Sequence, residues 1–105
     1  MSSIFTKIIN REIPSDIVFE NESIIVIKDI FPKAKIHLLI IPKKEIATIN
    51  DLQETDKELL FDMFSIAKKL AQDLQITEGY QLHFNVGPKG GQEVMHIHLH
   101  LMSDL

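Results

Sequence analysis

Three histidines occupy alternate positions in a run of five residues, His96, His98 and His100, with Ile97 and Leu99 between them. Residues two apart on an extended strand point the same way, about 6.6–6.8 Å from one to the next, so this spacing predicts a row of imidazoles on one face. Such a row supports two kinds of chemistry. One imidazole can attack a phosphorus atom while its neighbours orient it, bind phosphate oxygens and manage the leaving-group proton. Alternatively, two or three of them can ligate zinc, because three imidazoles and a water make an open catalytic site. The plain alternative is that histidines on a half-exposed strand are ordinary polar residues. Strict alternation of three with apolar neighbours, among only five histidines in 105 residues, argues against it.

The segment just before the row weighs between the two chemistries. Gly87-Pro88-Lys89-Gly90-Gly91-Gln92 is rich in glycine, and without Cβ atoms its backbone N–H groups can approach a phosphate closely. Alone it reads as a long hairpin connection, but joined to the histidine row it favours phosphate chemistry. A metal site would recruit carboxylates as ligands or to orient the imidazoles, and only Glu93 is close in sequence. No metal or other cofactor is therefore expected.

The elements that must hold this row can be read from apolar periodicity. Ile4, Phe5, Ile8 and Ile9 fall at helical spacing ahead of Pro14 and predict a short helix. Residues 17–20 and 23–29 are β-branched runs parted by Asn21-Glu22, which read as a hairpin. Pro32 imposes a loop, and residues 36–41, closed by Pro42, form an apolar run suited to a central strand with both faces covered. Leu59, Leu60, Met63, Phe64, Ala67, Leu70, Ala71 and Leu74 recur at three and four, predicting a helix of about 20 residues packed on a sheet. Thr55 and Glu58 have the spacing of a capping box at its start, and Gly79 is placed to turn the chain out of it.

Two alternating strands then flank the glycine-rich loop. Tyr80, Leu82, Phe84 and Val86 are apolar between Gln81, His83 and Asn85, whereas Met95, Ile97, Leu99 and Leu101 alternate with the histidines. Pairing these strands face to face requires an odd sum of partner numbers; a sum of 181, for instance, sets Asn85 opposite His96. The long helix is expected on the apolar face, leaving Asn85, His83 and the three histidines on the other.

Composition bounds the rest. With 45% hydrophobic and 25% charged residues the chain is ordinary globular material, and residues 1–105 read as one domain. The absence of cysteine removes disulfides, thiol nucleophiles and Cys-type zinc sites. A net charge of −4 disfavours polynucleotide binding, although Lys33, Lys35, Lys43, Lys44 and Lys89 could form a local positive rim for a small anion. The first residues lack a basic start followed by an apolar run, and the longest apolar stretch, residues 38–41, is far short of a membrane span. A cytoplasmic protein is expected, with no membrane partner.

The run His96-Ile97-His98-Leu99-His100-Leu101-Met102 resembles the signature of the histidine triad family, His-φ-His-φ-His-φ-φ with φ hydrophobic. The resemblance extends over nearly the whole chain and is closest to the Hint branch, through residues 4–9, Glu12-Ile13-Pro14, Asp29-Ile30-Phe31-Pro32 and residues 37–44. It implies an α+β fold: a five-stranded antiparallel sheet with one long and one short helix, continued across the two-fold axis of a homodimer. It further implies hydrolysis of nucleoside phosphoramidates or related nucleotidyl conjugates, releasing a purine nucleoside monophosphate. His98 would be the nucleophile that forms a nucleotidyl-histidine intermediate. His96 and His100 would flank it, with His100 on the phosphate, and His37 would support the cluster from a neighbouring strand.

The same resemblance implies a nucleotide pocket. Asp29 would hold the ribose hydroxyls; Ile4, Phe5, Ile8 and Ile30 would form the slot for the base, where the competing reading is core packing. Asn85 would lie near the phosphate, and Gly91, Gln92 and Glu93 would form the loop that cradles that phosphate. Three departures stand out. Glu93 replaces the serine common in eukaryotic Hint proteins, so its backbone N–H rather than its side chain is expected at the phosphate. The sequence ends at Leu105, where Hint relatives usually continue with Gly-Gly-Arg and a tail, and Lys28 replaces an aromatic residue or histidine, so substrate preference is expected to differ. A non-catalytic nucleotide-binding partner protein and a dinucleoside polyphosphate hydrolase of the Fhit type are the alternative functions. His83 receives no role.

Overall fold

The computed structural model describes residues 2–104. Ser3 starts the chain into α1 (Ile4–Ile9), its hydroxyl accepting from the Thr6 N–H at 3.0 Å and so satisfying one free amide of the first turn. Strands β1 (Ile17–Glu20) and β2 (Ile24–Lys28) form the expected hairpin. Asn21 closes it by accepting from the Ser23 and Ile24 amides at 2.9 and 2.8 Å. β3 (Ile36–Pro42) follows the Pro32 loop, then come α2 (Lys57–Asp73), β4 (Gln81–His83) and β5 (Leu99–Ser103). The five strands lie in the order β1-β2-β3-β5-β4, every neighbouring pair antiparallel.

β3 is central, paired on one side with β2 and on the other with β5, and its run of apolar residues is explained by two covered faces. Leu38 and Ile40 join Ile24, Val26, Leu99 and Leu101 under α2, whose Met63, Ala67, Leu70 and Ala71 are buried against them. Leu39 and Ile41 point the other way, with Ile25 and Ile27, beneath Phe5 and Ile8 of α1. His37 lies two residues before Leu39 on this second face.

The long helix departs from expectation at both ends. It spans 17 residues, and the Thr55–Glu58 box does not start it. A single 3₁₀ turn (Glu54–Asp56) leads in, and the buried Asp56 carboxylate accepts from the Gln53 amide at 2.9 Å and from Lys44 at 2.6 Å. Phe64 and Leu74, assigned to the apolar stripe, are exposed, because a helix lying on a sheet buries only a narrow seam. At the other end Gln75, not Gly79, takes the left-handed conformation, with φ 60°. Its N–H donates to the Gln72 carbonyl while that of Ile76 donates to Ala71, a Schellman closure that delivers Ile76 into the core. None of the described helices is long and apolar enough to cross a membrane.

The hairpin of β4 and β5 has an odd pairing sum, as face matching demands, but the register is Gln81 with Met102, Leu82 with Leu101 and His83 with His100, a sum of 183. The ladder ends there. Asn85 is not opposite His96, because the Ile97 amide donates to Ile46 and the His96 amide turns back to Val94, both at 2.8 Å. His96 and His98 therefore precede the paired strand, and His83 gains a histidine partner.

Candidate active site

Four imidazoles gather where β3, β4 and β5 meet on the face shared with α1. His98 and His100 have ring centroids 4.9 Å apart, His37 lies 5.2 Å from His100, and His83 stacks on His100 at 4.6 Å with planes only 8° apart. Phe5 stands edge-on to His98 at 5.0 Å, closing that side with an apolar ring.

The hydrogen bonds fix which nitrogen of each ring carries hydrogen. Nδ1 of His98 faces the His96 carbonyl at 2.8 Å, and since a carbonyl only accepts, Nδ1 bears the hydrogen and Nε2 keeps its lone pair. Nε2 has no hydrogen-bond partner among the described residues, and since no buried polar side-chain atom there is unpartnered, this nitrogen reaches solvent. A second chain of bonds sets His100. The Lys33 amide donates to His37 Nδ1 at 3.1 Å, so His37 carries its hydrogen on Nε2 and gives it to His100 Nδ1 at 2.9 Å. His100 must then hold its own hydrogen on Nε2. The pair thus offers one lone pair, on His98, and one N–H donor, on His100.

Burial keeps these rings neutral. Loss of hydration lowers the proton affinity of His98 and outweighs the opposing pull of the His96 carbonyl, Asp29 and Glu93. His100 is pushed down to about 4, by burial first and then by His98, His83 and His37 around it. His37 is lowered as well, mainly by burial and against the attraction of Asp29. At neutral pH the His98 lone pair is available.

His96 is placed differently from the expected row of three. It is 0% exposed, its Nε2–H donates to the Pro42 carbonyl at 2.7 Å, and its Nδ1 accepts from the Ser3 hydroxyl at 2.6 Å. Both nitrogens are engaged inside the protein, so the ring fastens α1 and the end of β3 to the segment that carries His98. Ser3 and the Glu45 carboxylate, which receives the Ser3 amide and the Thr6 hydroxyl, belong to the same lock. Neither stood out in the sequence, where Ser3 is legible only as a helix cap.

The loop also departs from expectation. Amides of Gly90, Gly91 and Gln92 are spent on the carbonyls of Gly87, Pro88 and Gly87, whereas those of Glu93 and Val94 make no such bond among the described residues. Gln92 is buried, its side chain accepting from Gly87 and donating to Ala47 and Val94, so it braces the loop rather than lining its mouth. Asn85 donates to the Gly90 carbonyl at 3.0 Å. Gly91, at φ 87°, packs so closely that a Cβ would lie 3.3 Å from the Asn85 amide nitrogen.

Of the residues assigned to the base slot, Phe5 and Ile8 are buried in the core, while Ile4 and Ile30 are exposed at 48% and 78%. Core packing thus claims two of the four, and they line at most the floor of a slot. Asp29 accepts from the Phe31 amide with one oxygen and lies 3.4 Å from His37 Nε2 with the other. Asp29, His37 and His100 place ligand atoms within 4.8 Å of one another. A cation there would need the His37 Nε2 lone pair, and the Lys33 amide opposes that tautomer. One same-face pair further along the β4–β5 ladder, Gln81 and Met102 line an open groove of about 520 Å³ with Lys33, Tyr80 and Asp104.

Comparison with known proteins agrees with this geometry. A family model described as scavenger mRNA decapping enzyme C-term binding matches residues 2–105. A HIT-like protein of Chlamydia muridarum is 47% identical over 102 residues, 97% of this chain and 81% of its own. The purine nucleoside phosphoramidase of Escherichia coli (strain K12) is 46% identical over 101 residues, 95% of this chain and 85% of its own. Among solved structures, a HIT family hydrolase from Legionella pneumophila superposes with TM-score 0.96 at 53% identity, covering 99% of this chain and 94% of that one. A histidine triad protein from Clostridium difficile gives 0.92 at 33% identity, covering 97% and 90%. With its α+β sheet, its clustered imidazoles and these relatives, the chain belongs to the histidine triad (HIT) family.

Proposed function

We propose that this protein hydrolyses purine nucleoside phosphoramidates or related nucleotidyl conjugates through a nucleotidyl intermediate on His98. The observation that carries the reading is the outward lone pair of His98 beside the outward N–H of His100. In the first step His98 Nε2 forms a bond to phosphorus, and the P–N bond to the leaving group breaks as that nitrogen takes a proton. The imidazole becomes cationic while bonded to phosphorus, which strengthens its Nδ1–H bond to the His96 carbonyl. His100 Nε2–H donates to a phosphoryl oxygen, where charge develops. Water then attacks phosphorus and the P–Nε2 bond breaks, the proton shed by the water replacing in solvent the one taken up by the leaving nitrogen, which restores the lone pair and releases the nucleoside monophosphate.

The remaining residues take supporting roles in this reading. His37 fixes the His100 tautomer, and His96 anchors the backbone whose carbonyl orients His98. Asp29 accepts from the ribose hydroxyls, Ile4 and Ile30 cover the base above Phe5 and Ile8, and Asn85 with the Glu93 amide borders the phosphate. Gly91 and Gln92 act by shaping that loop. The groove beginning at Gln81 and Met102 gives the leaving group room. What supports a purine nucleoside is the likeness to the Escherichia coli phosphoramidase. A homodimer that continues the sheet belongs to the same proposal. Its natural edge is β4, where Phe61 and Phe64 of α2 are exposed and Phe64 lies edge-on to Phe84.

The test is direct. Acid-quenched reaction with an adenosine phosphoramidate is expected to leave a nucleotidyl mass increment on the peptide carrying His98. A His98→Ala variant should form no adduct and turn over on the order of 10³-fold more slowly or less; undiminished turnover by that variant would sink the assignment.

A further inference from the structure

His83 was the one histidine without a role, and the β4–β5 register places it directly opposite His100. The two rings are stacked at 4.6 Å and nearly parallel, with planes 8° apart. The other imidazoles meet His100 obliquely, His37 at 44° and His98 at 57°. Its bond from His37 holds one atom of the ring, Nδ1, and by itself leaves the ring free to swing about that point. A flat partner against its face removes that freedom.

Resting on the proposed nucleotidyl-transfer reading, we propose that His83 is a positioning residue, whose ring fixes the plane in which His100 presents its Nε2 hydrogen to the phosphoryl group. This residue touches neither substrate nor the reacting atoms in that scheme and acts through His100 alone. It also carries a second influence. The ionisable groups facing His100 are His37 from β3, His98 from the segment just before β5, His83 from β4 and Asp29 from the loop after β2, with Lys33 beyond His37. Of these, only Asp29 favours a proton on His100. A charge on His83 opposes a proton on the ring stacked against it, so His100 remains a neutral donor to lower pH.

Two variants separate the stack from the charge. His83 is half-buried on an edge strand, so His83→Ala removes the ring with modest disturbance, and His83→Phe keeps a flat ring of similar reach without the charge. With an adenosine phosphoramidate at pH 7, His83→Ala is expected to lower kcat about tenfold with KM within twofold of the parent, and His83→Phe to restore most of that loss. In both variants His100 should titrate at higher pH than in the parent, read from its ring ¹⁵N shifts. Parental kcat in His83→Ala, an effect confined to KM, or equal impairment of the two variants would each overturn the inference. If the parent itself turned over no nucleoside phosphoramidate, the broader reading would fail, yet the ¹⁵N spectra would still decide this one. An unchanged His100 titration in His83→Ala would refute it independently of activity.

Discussion

The two faces of this sheet are built on opposite principles although the same strands supply both. Under α2, Val26, Leu38, Ile40, Leu99 and Leu101 form one buried apolar cluster with Met63, Ala67 and Leu70. On the other face apolar residues cover only one end, under α1, and the other end is imidazole, with His37, His98 and His83 each in contact with His100. One face is held by non-directional burial and tolerates small shifts. The other depends on directional bonds, each of which fixes a tautomer. Stability is concentrated on the first face and chemical capacity on the second, with β3 rigidly linking them.

Disrupting the apolar face should give the largest loss of stability. Met63 of α2 is fully buried against the sheet, and Met63→Ala is expected to cost about 2–5 kcal/mol by urea unfolding. Turnover per folded molecule should stay within twofold; a selective loss of kcat would show that the faces are not separable in this way. On the histidine face, His96→Ala strips partners from the Pro42 carbonyl and the Ser3 hydroxyl. The expected cost is smaller, about 2–3 kcal/mol, but here turnover should fall at least tenfold, because the carbonyl that orients His98 loses its anchor. Stability loss with intact turnover would assign His96 to the core alone.

Acid should sharpen the contrast with the smallest effect. His37, His96, His98 and His100 all bind protons less readily in the folded state than in the unfolded chain, where a histidine titrates near 6.5. Between that value and about 4, where His100 titrates, the unfolded chain therefore holds more protons. Stability contributed by the neutral rings is complete above about 6.5 and declines as pH falls through this window. The urea midpoint should drop steadily from pH 7 to 4.5; a flat profile would mean the rings are not buried as neutral groups.

The apolar face was nearly all legible in the sequence, because alternation in residues 80–86 and 97–101 and the three-and-four spacing of α2 state directly which side chains share a side. Even the parity of the β4–β5 pairing followed from alternation. Its offset did not: the sum of 183 rather than 181 arises because the Ile97 and His96 amides are taken by Ile46 and Val94, bonds with no periodic signature. The same holds for His96, whose motif position suggests a place in the row while its two partners lie 93 and 54 residues away. Gln75 is a further case, since a left-handed helix terminus is ordinarily announced by glycine. Gln92, set beside Gly91 as part of a cradle, turned inward because its amide can satisfy three backbone groups at once.

The Ser3–His96 bond has a consequence for how the protein comes into being. It closes a loop of nearly the whole chain, and the entropy of such a closure must be met before the contact returns anything. The Ser3 oxygen that caps α1 is also the one that seats His96, so the first helix and the histidine segment must be made in register with one another. The hairpin of β1 and β2, by contrast, needs only its own residues. The capacity for chemistry is thus a long-range property of this polypeptide, completed when its opening residues return to meet its closing ones.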